Sequence, residues 1–297
     1  MGMTENIELT DKLKWRNRKN SAFYGIVLVL SFLTISPIIL IIGKLLVKGL
    51  RQINFDFFLK VAPDTLQAMS AVSNNEIIPG GIANGITGTL LIVLVASAIA
   101  IPLGILIGLF LYENQGSRYA GLIRSLTDIL QGVPSIVLGI IAYIWVVKGI
   151  TNGYSALAGS TALSIMMLPL IIRSTEETMK MIPLSIKEAG AALGVPYYKI
   201  ILKVMIPTGL SGLMTGILLS ISRILGETAP LMLTTLGNTT INLDITKPTS
   251  AVPLQIWEFY NNPNMIDLVW SSSLFLMGFV LVLNIIAKRI SVKFSHG

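Results

Sequence analysis

The sequence predicts an all-α integral membrane protein with about six transmembrane helices, and three observations lead to this fold class. Of the 297 residues, 53% are hydrophobic and only 12% are charged, and the mean hydropathy is +0.75. A soluble domain carries about 25% charged residues. The chain contains six apolar runs near the roughly 20 residues needed to cross a bilayer. Lysine and arginine are also unequally divided between the segments that separate those runs.

The six predicted spans follow from the apolar runs in chain order. We expect each to be a helix, because lipid offers no partner for an unpaired backbone amide or carbonyl. The first run is read as a retained span, since it lacks the small-residue cleavage site of a secretory signal. The spans are 22–43, 86–111, 126–147, 155–172, 208–236 and 269–287.

The positive charges predict the orientation. If residues 1–21 are cytoplasmic, the segments on that side hold fifteen lysines and arginines and the outer segments hold six. Such an excess marks the cytoplasmic side of a membrane protein. It explains the net charge of +7 without a nucleic-acid partner. We therefore expect cytoplasmic tails at 1–21 and 288–297, an extracytoplasmic segment at 44–85 and a transmembrane core at 86–287.

The residues that are missing limit the chemistry. The chain has no cysteine, and its one histidine, His296, is next to the last residue. Thiol chemistry and zinc sites built from cysteine and histidine are excluded. There is no G-x-x-x-x-G-K-[ST] run to cradle a nucleotide phosphate. We expect no catalytic residue, bound metal or cofactor in this chain.

A short helical hairpin, KEAGAALGVPYYKIILKVMIP, is predicted in the loop at about 173–207. Ser185 and Glu188 have the spacing of a capping box. Gly194 suits a left-handed helix end, and Pro207 ends the second helix. Periodicity alone allows an amphipathic helix lying on lipid headgroups. The small alanine and glycine surface favours docking by another protein.

The fifth predicted span contains two charges, Arg223 and Glu227, in the stretch SRILGETAP. On a straight helix they share an arc of about 80° with a row of small residues. Arg223 would lie roughly 24 Å past Pro207. A charge inside a membrane is costly unless it is paired or hydrated. The two charges are either a structural ion pair or a station for a phosphate-like anion, which a guanidinium can bind through two oxygens. The small residues are Gly212, Gly216 and Ser220.

Arg173 stands at the inner end of the fourth span. It is either an anchor of the positive-inside kind or a second polar station on the same path.

The hairpin resembles the EAA loop of ABC importer permeases. The family pattern is E-A-A, three residues, G, nine residues and I-x-L-P, and the spacing holds throughout. The resemblance implies a type I ABC importer permease fold, in which this loop is the coupling helix that docks on a separate ATPase dimer. The coupling positions it implies are Glu188, Ala189, Gly190, Gly194 and Pro207.

Four further stretches narrow the resemblance: GGIANGITGTL, DILQGVPSIVLG, MLPLIIRSTEE and RILGETAPLMLTTL. They are similar to the A-type permease subunits of phosphate-specific ABC importers in the cytoplasmic (inner) membrane of prokaryotes. This similarity implies that the chain forms half of a phosphate path and that Arg223, Glu227 and Arg173 serve it.

The partners that the resemblance implies are a homologous C-type permease, an extracytoplasmic phosphate-binding protein and the ATPase dimer, which would use ATP and magnesium. Two alternatives remain. The substrate could be another tetrahedral oxyanion, namely sulfate, molybdate or phosphonate. A stand-alone secondary transporter or channel would explain Arg223 and Glu227, although it would leave the hairpin without a role.

Overall fold

The computed structural model describes the backbone of residues 2–295 and the side chains of 15–286, 288 and 289. Lys12, Lys14 and Lys293, which enter the charge count, lie outside the described side chains, and His296 lies outside the described residues. The described secondary structure is helical, apart from an isolated bridge between Leu236 and Thr249.

The helices occur in the following order. They are α1 (Gly2–Gly49), α2 (Phe55–Leu59), α3 (Thr65–Ser73), α4 (Ala83–Glu113), α5 (Arg118–Gly132), α6 (Ser135–Ala142), α7 (Ala156–Met181), α8 (Leu184–Ala192), α9 (Tyr197–Ile200), α10 (Ile206–Thr208), α11 (Leu210–Ile224), α12 (Ala229–Thr234), α13 (Val252–Tyr260) and α14 (Ile266–Ser295). In the part of the chain that the structure describes, four segments are long and apolar enough to cross a membrane, and two bent pairs raise the number to six if each pair is one span. This range agrees with the predicted all-α membrane fold.

The third predicted span is two helices rather than one. It consists of α5 and α6, which meet at an angle of 105°. The break falls at Pro134, which has no N–H to continue the helix and disfavours helical geometry in the residue before it. After α6 the backbone widens into a π-helical turn, Tyr143–Val147.

The fifth predicted span is also interrupted, so the straight helix expected over 208–236 is wrong. The chain bends by 71° at Gly209. A π-helical turn, Ile201–Met205, precedes Pro207, whose missing N–H removes a helical hydrogen bond. Beyond the bend, α11 stops at Ile224 and α12 starts at Ala229. Arg223 is therefore about 20 Å along α11 from Leu210 instead of 24 Å from Pro207.

The core forms around α7, the most buried of the long helices. It runs parallel to α4, and glycines bring the two backbones together. A Cβ atom on Gly104 would lie 2.6 Å from the Ile171 side chain, and one on Gly108 would lie 2.5 Å from Thr175. Such close approach by small residues is the usual way in which membrane helices gain packing energy.

Buried polar contacts join the outer segments to the ends of the spans. Asn84 accepts a hydrogen bond from Gln255 at 2.8 Å and donates one to the carbonyl of Asn238 at 2.6 Å. On the same side, the hydroxyl of Ser271 in α14 donates to the carbonyl of Gly49, at the end of α1, at 2.7 Å. The end of the molecule that lies away from the hairpin is thus fixed by contacts between segments far apart in the sequence.

Candidate functional site

Arg223 and Glu227 lie at the interruption of the fifth span. Arg223 is in the last turn of α11, whereas Glu227 belongs to the turn that follows, where its N–H donates to the carbonyl of Ile224 at 3.2 Å. The Nε atom of Arg223 is 4.0 Å from Oε1 of Glu227. The predicted pairing is present, but it crosses a break and does not run along one helix face. At this distance the pair leaves guanidinium hydrogens available for another acceptor.

Arg173 is paired with a residue that the sequence reasoning missed. Its guanidinium donates to the carboxylate of Asp128 in α5, and both side chains are about half exposed. Asp128 is an acid inside an apolar run, which is the same signal that identified Arg223. Arg173 is therefore held by a neighbouring helix and does not stand alone at the end of its span.

The packing of α11 on α7 gives the relative heights of the two arginines. Gly216 faces Ser174 and Gly212 faces Thr178, so the two helices run antiparallel. The face of small residues predicted for α11 is thereby confirmed at these two glycines. Arg173 is level with Ile217, which places Arg223 about 9 Å farther along the helix axis from the end that carries the hairpin.

A second charged cluster joins the inner ends of three helices. Glu176 in α7 is buried and accepts hydrogen bonds from Arg124 at 2.9 Å and from Lys180 at 2.6 Å. Arg124 also donates to the carbonyl of Leu111, in α4, at 2.9 Å. From the sequence, Arg124 and Lys180 are expected only to be cytoplasmic loop charges. The i, i+4 spacing of Glu176 and Lys180 was the available signal for this cluster.

The hairpin is present, but the predicted capping box is wrong. The helix α8 begins at Leu184 with Pro183 at its N-cap, so Ser185 lies within the first turn and makes no cap. Pro183 fixes its own φ at a value compatible with a helix start, and the helix begins there without a side-chain cap. The left-handed end is confirmed, because Gly194 has a φ of +71° and its N–H donates to the carbonyl of Ala191 at 2.9 Å.

A close approach between the two arms explains the glycine at position 190. A Cβ atom on Gly190 would lie 3.0 Å from Cδ1 of Ile200, which is buried in α9. The contact is with the flexible end of a side chain, so an alanine would require only a small shift. Gly190 therefore allows α8 to settle on α9 more closely than alanine would.

The outward surface of the hairpin is exposed. The helix α8 buries none of its own residues, and Glu188, Ala189 and Pro207 are exposed. Large apolar side chains lie on the same hairpin with most of their area uncovered. These side chains are Leu184, Leu193 and Tyr198. Exposed apolar surface on a loop marks a site of contact with a protein or a membrane.

Lys187 points back from the hairpin to the end of α4. Its Nζ atom is 3.0 Å and 3.2 Å from the two carboxylate oxygens of Glu113, and it lies 4.8 Å from the ring centre of Tyr197. Burial alone would lower the pKa of Lys187, but hydrogen bonds with Tyr197 and Glu113 outweigh burial and raise this pKa above its ordinary value. Lys187 therefore stays charged at neutral pH, and the ion pair is lost only as the pH rises through that raised pKa.

Comparison with known proteins shows which proteins this chain is similar to. Residues 100–296 match the family model described as binding-protein-dependent transport system inner membrane component. The chain is 37% identical over 292 residues to the phosphate transport system permease protein PstA of Yersinia pestis, with 96% of this chain and 94% of the relative covered. It is 31% identical over 277 residues to the protein of the same name from Haemophilus influenzae, with 92% and 94% covered.

Solved structures support the fold. A chain of the MetNI methionine ABC transporter, in an inward facing conformation, superimposes with a TM-score of 0.57 at 20% identity. The match covers 71% of this chain and 94% of that chain. At this level of identity the likeness concerns the arrangement of helices alone.

Proposed function

The chain belongs to the family of binding-protein-dependent transport system inner membrane components, and we propose that it forms half of the path by which an ATP-driven importer carries inorganic phosphate across the cytoplasmic membrane. The observation that carries this proposal is the similarity to phosphate transport system permeases over nearly the whole chain. The two arginines at successive heights in the spans support it, because guanidinium groups match the oxygens of a tetrahedral anion.

The ion pairs of the two arginines give this path its chemistry. Arg223 is the outer station. Its guanidinium is 4.0 Å from Glu227, so its N–H groups remain available to donate to two phosphate oxygens. Arg173 is the inner station, where an arriving anion competes with Asp128 for the guanidinium. In each case the carboxylate reduces the net positive charge. The anion is therefore attracted without being held permanently.

The energy comes from a partner. This chain carries no nucleotide-binding run, so ATP and magnesium are used by a separate ATPase dimer. The exposed hairpin, with Glu188, Ala189, Gly190 and Gly194 in its first arm, is the part that docks on that dimer. Pro207 lies inside α10 in the second arm, so the expectation that it ends this helix is wrong, and the chain turns toward the membrane just after it, at Gly209.

Two further partners complete the importer. With at most six spans among its described residues, this chain supplies half of a path, and a homologous permease of the C type supplies the other half. An extracytoplasmic phosphate-binding protein delivers the anion to the outer segments, and the lipid bilayer surrounds the spans. Both ends of the chain lie in the cytoplasm, as the distribution of lysine and arginine favours.

Reconstitution tests the proposal. The chain is purified with the companion permease, the ATPase and the binding protein, and the complex is placed in liposomes. Uptake of radioactive phosphate should require ATP, the ATPase and the binding protein. A matched complex without the ATPase is the control.

Two outcomes would contradict the proposal. Phosphate uptake that continues without ATP would indicate a secondary transporter or channel. Sulfate, molybdate or a phosphonate can be tested in the same way with the binding protein for that anion. If its uptake exceeds phosphate uptake, the substrate is another oxyanion.

A further inference from the structure

Among the described side chains, the hairpin makes one ion pair with the core, between Lys187 and Glu113. Lys187 lies in the middle of α8, and its ammonium binds both carboxylate oxygens of Glu113 at the inner end of α4. Both side chains are about three-quarters buried. Ring faces of Tyr112 and Tyr197 flank the ammonium at 5.5 Å and 4.8 Å from their centres. A partly buried charge with fixed acceptors resists displacement more than an exposed one does.

The end of α4 that receives Lys187 is part of a larger rigid group. Gly104 and Gly108 bring α4 against α7 without space for a methyl group. Arg124 joins α5 to Glu176 in α7 and to the carbonyl of Leu111 in α4. We call α4, α5 and α7 the inner block. Arg173 and Asp128 both belong to it, so a force applied to α4 reaches the inner arginine.

The covalent links between the hairpin and the spans do not fix its rotation. Two residues, Ile182 and Pro183, join α7 to α8. On the other side the chain passes through a π-helical turn and the 71° bend at Gly209 before it reaches α11. These links hold the ends of the hairpin. Between them, α8 is held on the spans by an apolar cluster that includes Ile186 and Tyr112 and by the ion pair of Lys187 with Glu113, and only the ion pair is directional.

We propose that the Glu113–Lys187 ion pair is the positioning contact by which movement of the hairpin is transmitted to the inner block. The inference rests on the proposed function, because it assigns a route to the movement that the ATPase would impose. The two residues act through other groups and touch neither substrate nor nucleotide.

The first test uses the reconstituted complex and measures phosphate uptake for each ATP hydrolysed. Glu113→Gln and Lys187→Met should each lower this ratio at least threefold while the ATPase still copurifies. The exchange variant, Glu113→Lys with Lys187→Glu, should recover at least half of the native ratio. The control is Lys203→Met, which removes an exposed hairpin lysine that makes no ion pair in the described part of the chain.

Three results would overturn the inference. They are an unchanged ratio in either single variant, a loss of ATPase association, which would make the pair part of the docking surface, and an exchange variant no better than the single ones.

A second measurement does not depend on transport. The chain has no cysteine, so a pair of spin labels can be placed at Ala191 in α8 and Gly121 in α5, both of which are exposed. With the native ion pair, the distance between the labels should have a narrow distribution. Glu113→Gln should broaden it, and an identical distribution would refute the positioning role. Failure of the proposed function would instead appear as the absence of ATP-driven phosphate uptake by the unmodified complex.

Discussion

Arg223 combines an exposed guanidinium with an ion pair stretched to 4.0 Å. An arginine in that state can exchange its carboxylate partner for an incoming anion without breaking a short hydrogen bond. Arg173, by contrast, is engaged directly by Asp128. In the proposed path the two arginines would therefore differ in how readily they accept an anion, and Arg223 would be the more available of the two.

Replacing Arg223 with glutamine should reduce phosphate uptake roughly 10- to 100-fold, since a hydrogen bond to a charged group is worth about 1.5–3 kcal/mol. The complex should still assemble. Initial uptake rates and copurification of the subunits measure the two effects. Arg51→Gln is the matched control, because Arg51 lies on the outer side and pairs with Asp267 at 3.4 Å. If Arg223→Gln prevents assembly, the pair with Glu227 is structural.

Some residues of the candidate site were predicted from the sequence, and others were missed. Arg223 and Glu227 were found because charges are rare in a span. Asp128 carries the same signal, but its partner is 45 positions away, and no local spacing connects the two. Glu176 was missed because its burial depends on how three helices meet. Local rules identify an unusual residue, whereas its partner is decided by tertiary packing.

At the scale of the element, the hairpin depends on one backbone conformation. Gly194 has a positive φ of 71° with open space around its α carbon, so its requirement for glycine is conformational. Gly190 has an ordinary φ and meets only the flexible end of Ile200. The two glycines therefore differ in what an added methyl group would disturb.

The change Gly194→Ala should destabilise the hairpin by about 1 kcal/mol, because a non-glycine residue is strained in the left-handed region. Association with the ATPase should weaken accordingly, roughly fivefold. Gly190→Ala should bind nearly as the native chain does. A pull-down with purified ATPase over a series of concentrations measures both. Equal binding by all three proteins would show that hairpin shape does not control docking.

The interrupted spans show that hydropathy does not reveal where a transmembrane helix is broken. The runs at 126–147 and 208–236 are apolar enough to be read as continuous helices, yet each is broken at proline and glycine. Proline in an apolar run is compatible with either a kink or a sharp reversal, and the choice depends on what packs against the freed carbonyls. The glycine end of the hairpin was predicted correctly, because a left-handed helix end is a local feature.

At the scale of the whole molecule, the orientation of the chain is open to direct measurement. Ser73→Cys in the outer segment and Ser185→Cys in the hairpin replace exposed serines with side chains of nearly the same size. A membrane-impermeant maleimide should label Ser73→Cys in right-side-out vesicles. It should label Ser185→Cys only in inside-out vesicles. The unmodified chain, which has no cysteine, is the blank. The reverse pattern would place both ends of the chain outside.

The contact between α1 and α14 has a consequence for the biosynthesis of the protein. Ser271 holds the carbonyl of Gly49 across 222 positions of sequence, and Leu274 packs on the same glycine. Because the ribosome works from the amino end, Gly49 reaches the membrane long before Ser271 has been synthesised. During that interval α1 has only lipid against the surface that α14 will cover. The contact between α1 and α14 therefore forms late in biogenesis, after the helices between them have been inserted.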